Sequence, residues 1–189
     1  NLRKYLEINL NLKWQDRIHM AKDIASGLVF LHDNNIVHRD LHTQNVLVKF
    51  EGPKAIVKIA DFGHSSYASS PDLDNQDSEV YGIVAFIDPN LLKDSRLYNL
   101  DKKLDIYSIG VIFWEISSRR PPFRSVHQDV LAFLIINGAR ETSVEGTPSE
   151  YGRIYKLCWY DDPQDRPSAS EVYNMLNVLI ESYGILKEY

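Results

Sequence analysis

The stretch His38-Arg39-Asp40-Leu41-His42-Thr43-Gln44-Asn45, followed downstream by Asp61-Phe62-Gly63, decides how this chain is read. It sets a carboxylate at 40, an amide at 45 and a second carboxylate at 61, with an apolar segment in between. Taken singly, each has a plain structural role: Asp40 as a loop carboxylate, Asn45 as a turn former, Asp61 as a strand-end cap. The ordered set carries more meaning than its members. Around it, Ile36-Val37, Val46 to Val48 and Ile56 to Ile59 read as short extended pieces, and Glu51-Gly52-Pro53-Lys54 as the turn separating the last two.

Outward from this stretch the chain turns helical. Leu2 to Ile8 reads as a short helix. Trp14 to Asn34 reads as a longer one, because Ile18, Ile24, Ala25, Leu28 and Leu31 recur at three- and four-residue spacing and Asn34-Asn35 is turn-prone. Gly63 to Glu79 is rich in Ser and Asp and predicts an exposed, mobile loop. Leu104 to Ser117 is apolar on nearly every face and predicts a buried central helix, stopped by Pro121-Pro122. Three further helices are predicted at Val126 to Asn137, Ser149 to Trp159 and Ser168 to Tyr183, with Pro148, Pro163 and Pro167 at their edges. The expected fold class is mainly α (α+β overall): one helical domain with a few short strands.

At 189 residues the chain is long enough for one well-packed domain, and its 44% hydrophobic and 25% charged residues are an ordinary globular balance. A formal charge of −5 gives no reason to expect nucleic acid, so the expected partners are proteins and small molecules. Cys158 is the only cysteine, which rules out an internal disulfide and fits a reducing compartment. The N-terminal stretch is charged and amphipathic, unlike a secretory signal. The most apolar stretch, Ile106 to Ile116, carries Ser108 and Glu115 and is too short to span a bilayer. No membrane association is expected, and the expected location is cytoplasmic.

Phosphoryl transfer asks a protein for positioning and charge neutralisation, with little covalent chemistry. It needs a carboxylate beside the attacking hydroxyl and oxygen ligands for Mg²⁺. On His38-Arg39-Asp40-Leu41-x-x-x-Asn45 and Asp61-Phe62-Gly63 the chain resembles the C-terminal lobe of a eukaryotic protein kinase. Asp105 to Val111, Trp114-Glu115, Pro121-Pro122-Phe123, Cys158-Trp159, Asp162-Pro163 and Arg166-Pro167 follow in the family's order, and Cys158-Trp159 is similar to the tyrosine-kinase-like and tyrosine-kinase branches. The resemblance covers essentially residues 1–189, with an activation segment at about 61–90. It implies ATP and Mg²⁺ as cofactors and a protein hydroxyl as acceptor. It implies Asp40 as catalytic aspartate and Asn45 and Asp61 as metal ligands. It further implies the Gln44 carbonyl and Asn1 near the ribose, Leu47 beneath the adenine, and Asp105 accepting hydrogen bonds from catalytic-loop amides. His38 and Phe62 are expected to stack with Asp105 as an internal column, with His38 a satisfied core histidine.

No Gly-x-Gly-x-x-Gly loop and no strand lysine of the V-A-I-K type precedes Asp40. The resemblance therefore implies the larger lobe alone, completed by an N-terminal lobe that this chain lacks. The isolated chain is expected to have negligible kinase activity, weak nucleotide affinity, and an uncovered face that includes Leu47.

Three positions depart from the family pattern. His42 stands where Ser/Thr kinases usually place lysine, and it is the candidate for that lysine's role. Asp88-Pro89-Asn90 stands where the family has A-P-E, so Arg166 lacks its usual glutamate; Asp88 or another acid is expected to compensate. Ile83 replaces the threonine of Ser/Thr kinases and the proline of tyrosine kinases. The acceptor favoured by the resemblance is Ser/Thr. Arg39 is the candidate partner for a phosphate on Ser65, Ser66, Tyr67, Ser69, Ser70, Ser78 or Tyr81, or for the standing charge of Asp72, Asp74, Asp77 or Glu79. The alternative reading is a pseudokinase-type binding module without efficient phosphoryl transfer.

Overall fold

The computed structural model of the chain describes residues 1–52, 54–68, 82–94 and 101–185. In chain order the elements are α1 (Leu2–Ile8), α2 (Trp14–Asp33), β1 (Ile36–Val37), β2 (Val46–Glu51), β3 (Lys54–Ile59), β4 (Ser66–Tyr67), α3 (Pro89–Lys93), α4 (Lys102–Ser118), α5 (Gln128–Ile136), α6 (Ser149–Cys158) and α7 (Ala169–Ile185). Helices dominate, and the mainly α class follows.

Helix α4 is the axis of the molecule. Every residue from Leu104 to Ser117 is buried, as an all-round apolar sequence demands. Ile106, Tyr107, Ile109, Ile112, Phe113, Trp114 and Ile116 form the centre of the core, and a fully buried side chain of this size contributes about 1.5–3 kcal/mol. Helices α2 and α6 pack on α4, and α7 closes on α2 and α6. Gly110 permits the α4–α6 contact: a Cβ there would lie 2.8 Å from Cys158 Cβ and 3.0 Å from the Tyr155 carbonyl oxygen. Asp101 caps α4, accepting from the Lys103 N–H.

The strands form two antiparallel pairs, β1 with β4 and β2 with β3. The β2–β3 register runs from Val46↔Ile59 to Glu51↔Lys54. Both strands extend past the predicted apolar cores, because the ladder continues through Lys49, Phe50 and Lys54 to the turn. The predicted loop from Gly63 needs correction at its start. Ser66 and Tyr67 pair with Val37 and Ile36, so backbone hydrogen bonding anchors a stretch whose polar composition gave no strand signal. Ser69, Ser70, Asp72, Asp74, Asp77, Ser78, Glu79 and Tyr81 lie outside the described residues. The short α3 was not predicted; it starts where Asp88 accepts from the Asn90 N–H and Pro89 takes the first helical position. Among the described residues no helix is long and apolar enough to cross a membrane.

Candidate active site

The β2–β3 hairpin positions the site. Asn45 directly precedes β2, and Asp61 follows β3 after one residue. The Val46↔Ile59 pairing continues into an Ala60 N–H to Asn45 carbonyl bond of 2.9 Å. The apolar segment between the two polar positions thus returns the chain to its starting point. On the loop before β2, Asn45 Nδ2 donates to both the Asp40 carbonyl and Asp40 Oδ2, each at 2.9 Å. With its nitrogen so committed, Asn45 has Oδ1 left as an acceptor. Asp61 is exposed, and its Oδ1 accepts from the Gly63 N–H at 3.4 Å. Arg39 and Asp61 both lie in the left-handed region, at φ 71 and 65. Such residues cost on the order of 1–3 kcal/mol and persist where their surroundings over-determine them.

For Arg39 the determinant is visible. Asp105, buried near the start of α4, accepts the His38 N–H at 2.8 Å and the Arg39 N–H at 3.0 Å. Its Oδ2 also meets His32 Nε2 at 3.0 Å. Amide bonds to a carboxylate are among the stronger hydrogen bonds, so α4 holds the loop by its backbone. The His38 ring is fully buried, with Nε2 3.1 Å from the Ala60 carbonyl and its face 5.2 Å from the Phe62 ring. The expected column therefore runs through two parts of His38: its ring meets Phe62, whereas its backbone meets Asp105. His32 was not among the sequence candidates, although a histidine on the apolar face of α2 needs a buried partner.

His42 is buried beside Asp40, with Nε2 3.4 Å from Asp40 Oδ1. Its Nδ1 faces the Asn45 N–H at 3.2 Å, so in the neutral ring the proton sits on Nε2, toward Asp40. Burial lowers its pKa below the ordinary 6.5, outweighing the opposing pull of Asp40. The ring is therefore neutral at pH 7 and turned inward, unlike an extended lysine. Asp40 Oδ1 is buried with no hydrogen bond among the described residues. Asp40, Gly82 and Ile83 line one hollow, and the Ile83 side chain has no donor to offer there. Gly82 has φ 106, and a Cβ there would lie 2.7 Å from Asp40 Oδ1.

Behind the hollow, Arg166 Nη1 pairs with Asp88 Oδ2, both side chains fully buried. Arg166 also donates to the carbonyls of Tyr160, Lys103 and Asp161 and lies over the Tyr107 ring. Asp88 is thus the acid beside Arg166. Asn90 donates through Nδ2 to Asp88 Oδ1 and to the Asp161 carbonyl.

The remaining candidates sit at the surface. Asn1 is exposed and caps α1, accepting from the Lys4 N–H at 3.1 Å. Gln44 and Gly63 are exposed. Leu47 is 52% and Phe62 49% exposed. Ser65 Oγ reaches the His38 carbonyl at 3.5 Å.

Among the described residues no three His, Cys, Asp or Glu side chains are grouped to hold a metal. Mg²⁺ takes one or two protein oxygens and completes its shell with water and substrate phosphates. Asn45 Oδ1 and Asp61 offer such a pair.

Residues 1–176 match the family described as protein tyrosine and serine/threonine kinase, and the chain belongs to that family. It is 32% identical over 90% of its length to a probable LIM domain-containing serine/threonine-protein kinase of Dictyostelium discoideum. It is 32% identical over 88% of its length to the serine/threonine-protein kinase CTR1 of Arabidopsis thaliana, and 28% identical over 91% to the serine/threonine-protein kinase STY17 of the same plant. The chain spans 25%, 20% and 29% of these relatives respectively.

Proposed function

We propose that residues 1–189 are the C-terminal lobe of a cytoplasmic, ATP- and Mg²⁺-dependent protein kinase acting on serine or threonine. The single observation that carries this is the Asn45 amide gripping Asp40 while the β2–β3 hairpin returns Asp61 to the same end. In this reading Asp40 orients the acceptor hydroxyl and takes its proton as the oxygen attacks the γ-phosphorus of ATP and the bond from that phosphorus to the bridging oxygen of ADP breaks, releasing ADP. Asn45 Oδ1 and Asp61 hold Mg²⁺, which supplies charge neutralisation on the phosphates. The Gln44 carbonyl and Asn1 face the ribose, and Leu47 supports the adenine. Neutral His42 stands beside Asp40 in place of a lysine's charge, and Arg39 is the docking point for a phosphate on the 61–90 segment. The exposed edge of Leu47 and Phe62 is covered by an N-terminal lobe, without which turnover is negligible.

The test fuses the chain behind a kinase N-terminal lobe and measures transfer of the γ-phosphoryl group to serine, threonine and tyrosine peptides. Serine or threonine phosphorylation is expected from the fusion. It falls at least a hundredfold in Asp40→Asn and Asp61→Asn, within the range seen for lost positioning and charge stabilisation. The 189-residue chain alone is expected to stay at background; measurable transfer by it would contradict the need for a second lobe.

A further inference from the structure

We propose that Arg3, Thr43 and Glu115 form a buried latch that couples the start of α1 to the catalytic loop, so that nucleotide contact at Asn1 and placement of Asn45 are set together. The nucleotide part rests on the function proposed above; the latch itself rests on geometry. Thr43 lies inside the loop, between His42 and Gln44, and its side chain is inaccessible to solvent. Its Oγ1 donates to Glu115 Oε2 at 3.0 Å and accepts from Arg3 Nε at 3.1 Å. Arg3 Nη2 reaches Glu115 Oε2 at 3.1 Å, Nε forms an ion pair with the same carboxylate, and the Arg3 N–H donates to the Thr43 carbonyl at 3.2 Å.

Glu115 and Asp105 stand on one helix, about 15 Å apart along its axis. Asp105 grips the loop at His38 and Arg39, and Glu115 grips it at Thr43, so both ends of the segment carrying Asp40 and His42 are held by buried carboxylates of α4. The first grip uses backbone amides, which any sequence provides. The second needs the particular side chains of Thr43 and Arg3, and Arg3 sits two residues after Asn1. A buried ion pair is weak support for stability, because apolar residues of similar volume often do as well. What it adds here is a fixed geometry between two elements that face the same nucleotide.

The test uses the chain fused behind a kinase N-terminal lobe, isotope-labelled over its 189 residues, titrated with Mg²⁺ and ATP and followed by NMR. Thr43→Val, which keeps the shape and loses the hydroxyl, is expected to displace the Asn45 side-chain amide resonances and weaken Mg²⁺–ATP binding about tenfold, the scale of a small misplacement. Thr43→Ser restores both to within about twofold, a rescue that a purely space-filling role would not give. Arg3→Met is expected to add little on top of Thr43→Val, because the two act through one network. Unmoved Asn45 amide signals in Thr43→Val overturn the latch. Absence of ATP binding by the unaltered fusion would count against the kinase reading instead, leaving the Asn45 signals to decide the latch.

Discussion

Asp88 and Arg166 form a fully buried ion pair in which the acid stands two residues before Asn90, the position at which the family resemblance expects the glutamate. One carboxylate does two jobs there. Asp88 Oδ1 caps α3 through the Asn90 N–H, and Oδ2 meets the guanidinium. The pair ties the segment beside the catalytic loop to the residues after α6. Ser108 adds a second tie, donating from α4 to the Phe86 carbonyl at 2.8 Å.

Replacing Asp88 by Asn keeps a good helix cap but strands the buried Arg166 charge. The expected loss is about 3–5 kcal/mol of folding stability, the range for removing one partner of a buried pair. Adding Asn90→Glu to the same chain is expected to recover part of it, since that side chain starts next to the guanidinium's other acceptors. Denaturant unfolding of the three chains checks this. An unchanged midpoint for Asp88→Asn would show that the pair holds nothing in place.

His42 is expected to titrate below 6.5 and to be protonated on Nε2 in its neutral form, because burial disfavours the cation. A histidine whose folded pKa is lowered resists protonation only when folded. Its contribution to stability is therefore present above pH 6.5 and lost as the pH falls from there through the lower folded pKa. Imidazole ¹⁵N shifts across pH 5 to 8 give both the midpoint and the tautomer. A midpoint at or above 7 would make His42 a lysine-like cation and contradict a ring kept neutral by burial.

Much of this was legible in the residues. Helix α4 announced itself by being apolar on every face, and the order of Asp40, Asn45 and Asp61 pointed to the candidate site. What stayed hidden was set by side-chain contacts across long separations. Ser66 and Tyr67 sit in a polar run, so their pairing with Val37 and Ile36 had no periodic signal. Arg3 and Thr43 are unremarkable in sequence, and nothing local says that they meet. Glu115 did offer a signal: a carboxylate at the end of an apolar run must find a partner when buried, though the sequence does not say which. His32 belongs to the same class.

Glu115 gives a pH signature of opposite sign to that of His42. Burial raises its pKa from 4.5 to about 7, more than Arg3 and Thr43 lower it, with Glu7 of α1 adding to the rise. The folded state then keeps a proton that the unfolded state releases between these values. This group's contribution to stability falls as the pH rises from 4.5 to 7 and levels off above. Against Glu115→Gln, the wild-type chain is expected to lose on the order of 3 kcal/mol across that window. Paired unfolding curves at pH 5, 6, 7 and 8 measure it, and a difference that does not vary with pH would contradict a buried, titrating carboxylate.

Gly82→Ala is expected to disturb Asp40 directly. The backbone there has φ 106, and a new Cβ would fall 2.7 Å from Asp40 Oδ1. Either the carboxylate moves or the segment after residue 82 does. The expected result is a shift of the Asp40 carboxyl ¹³C resonance with a stability loss of about 1–3 kcal/mol. In a fusion carrying an N-terminal lobe, kcat is expected to fall about a hundredfold with a smaller change in KM for ATP. An unshifted Asp40 signal would place the two residues further apart than described.

The most direct test of the central claim, that Asp40, Asn45 and Asp61 surround one metal–nucleotide site, replaces Mg²⁺ by paramagnetic Mn²⁺ in the presence of ATP and maps line broadening over the labelled chain. Broadening centred on Asn45 and Asp61, extending to Asp40 and lost in Asp61→Asn, is the predicted result. Broadening spread over surface carboxylates, or centred away from the open end of the β2–β3 hairpin, would contradict it.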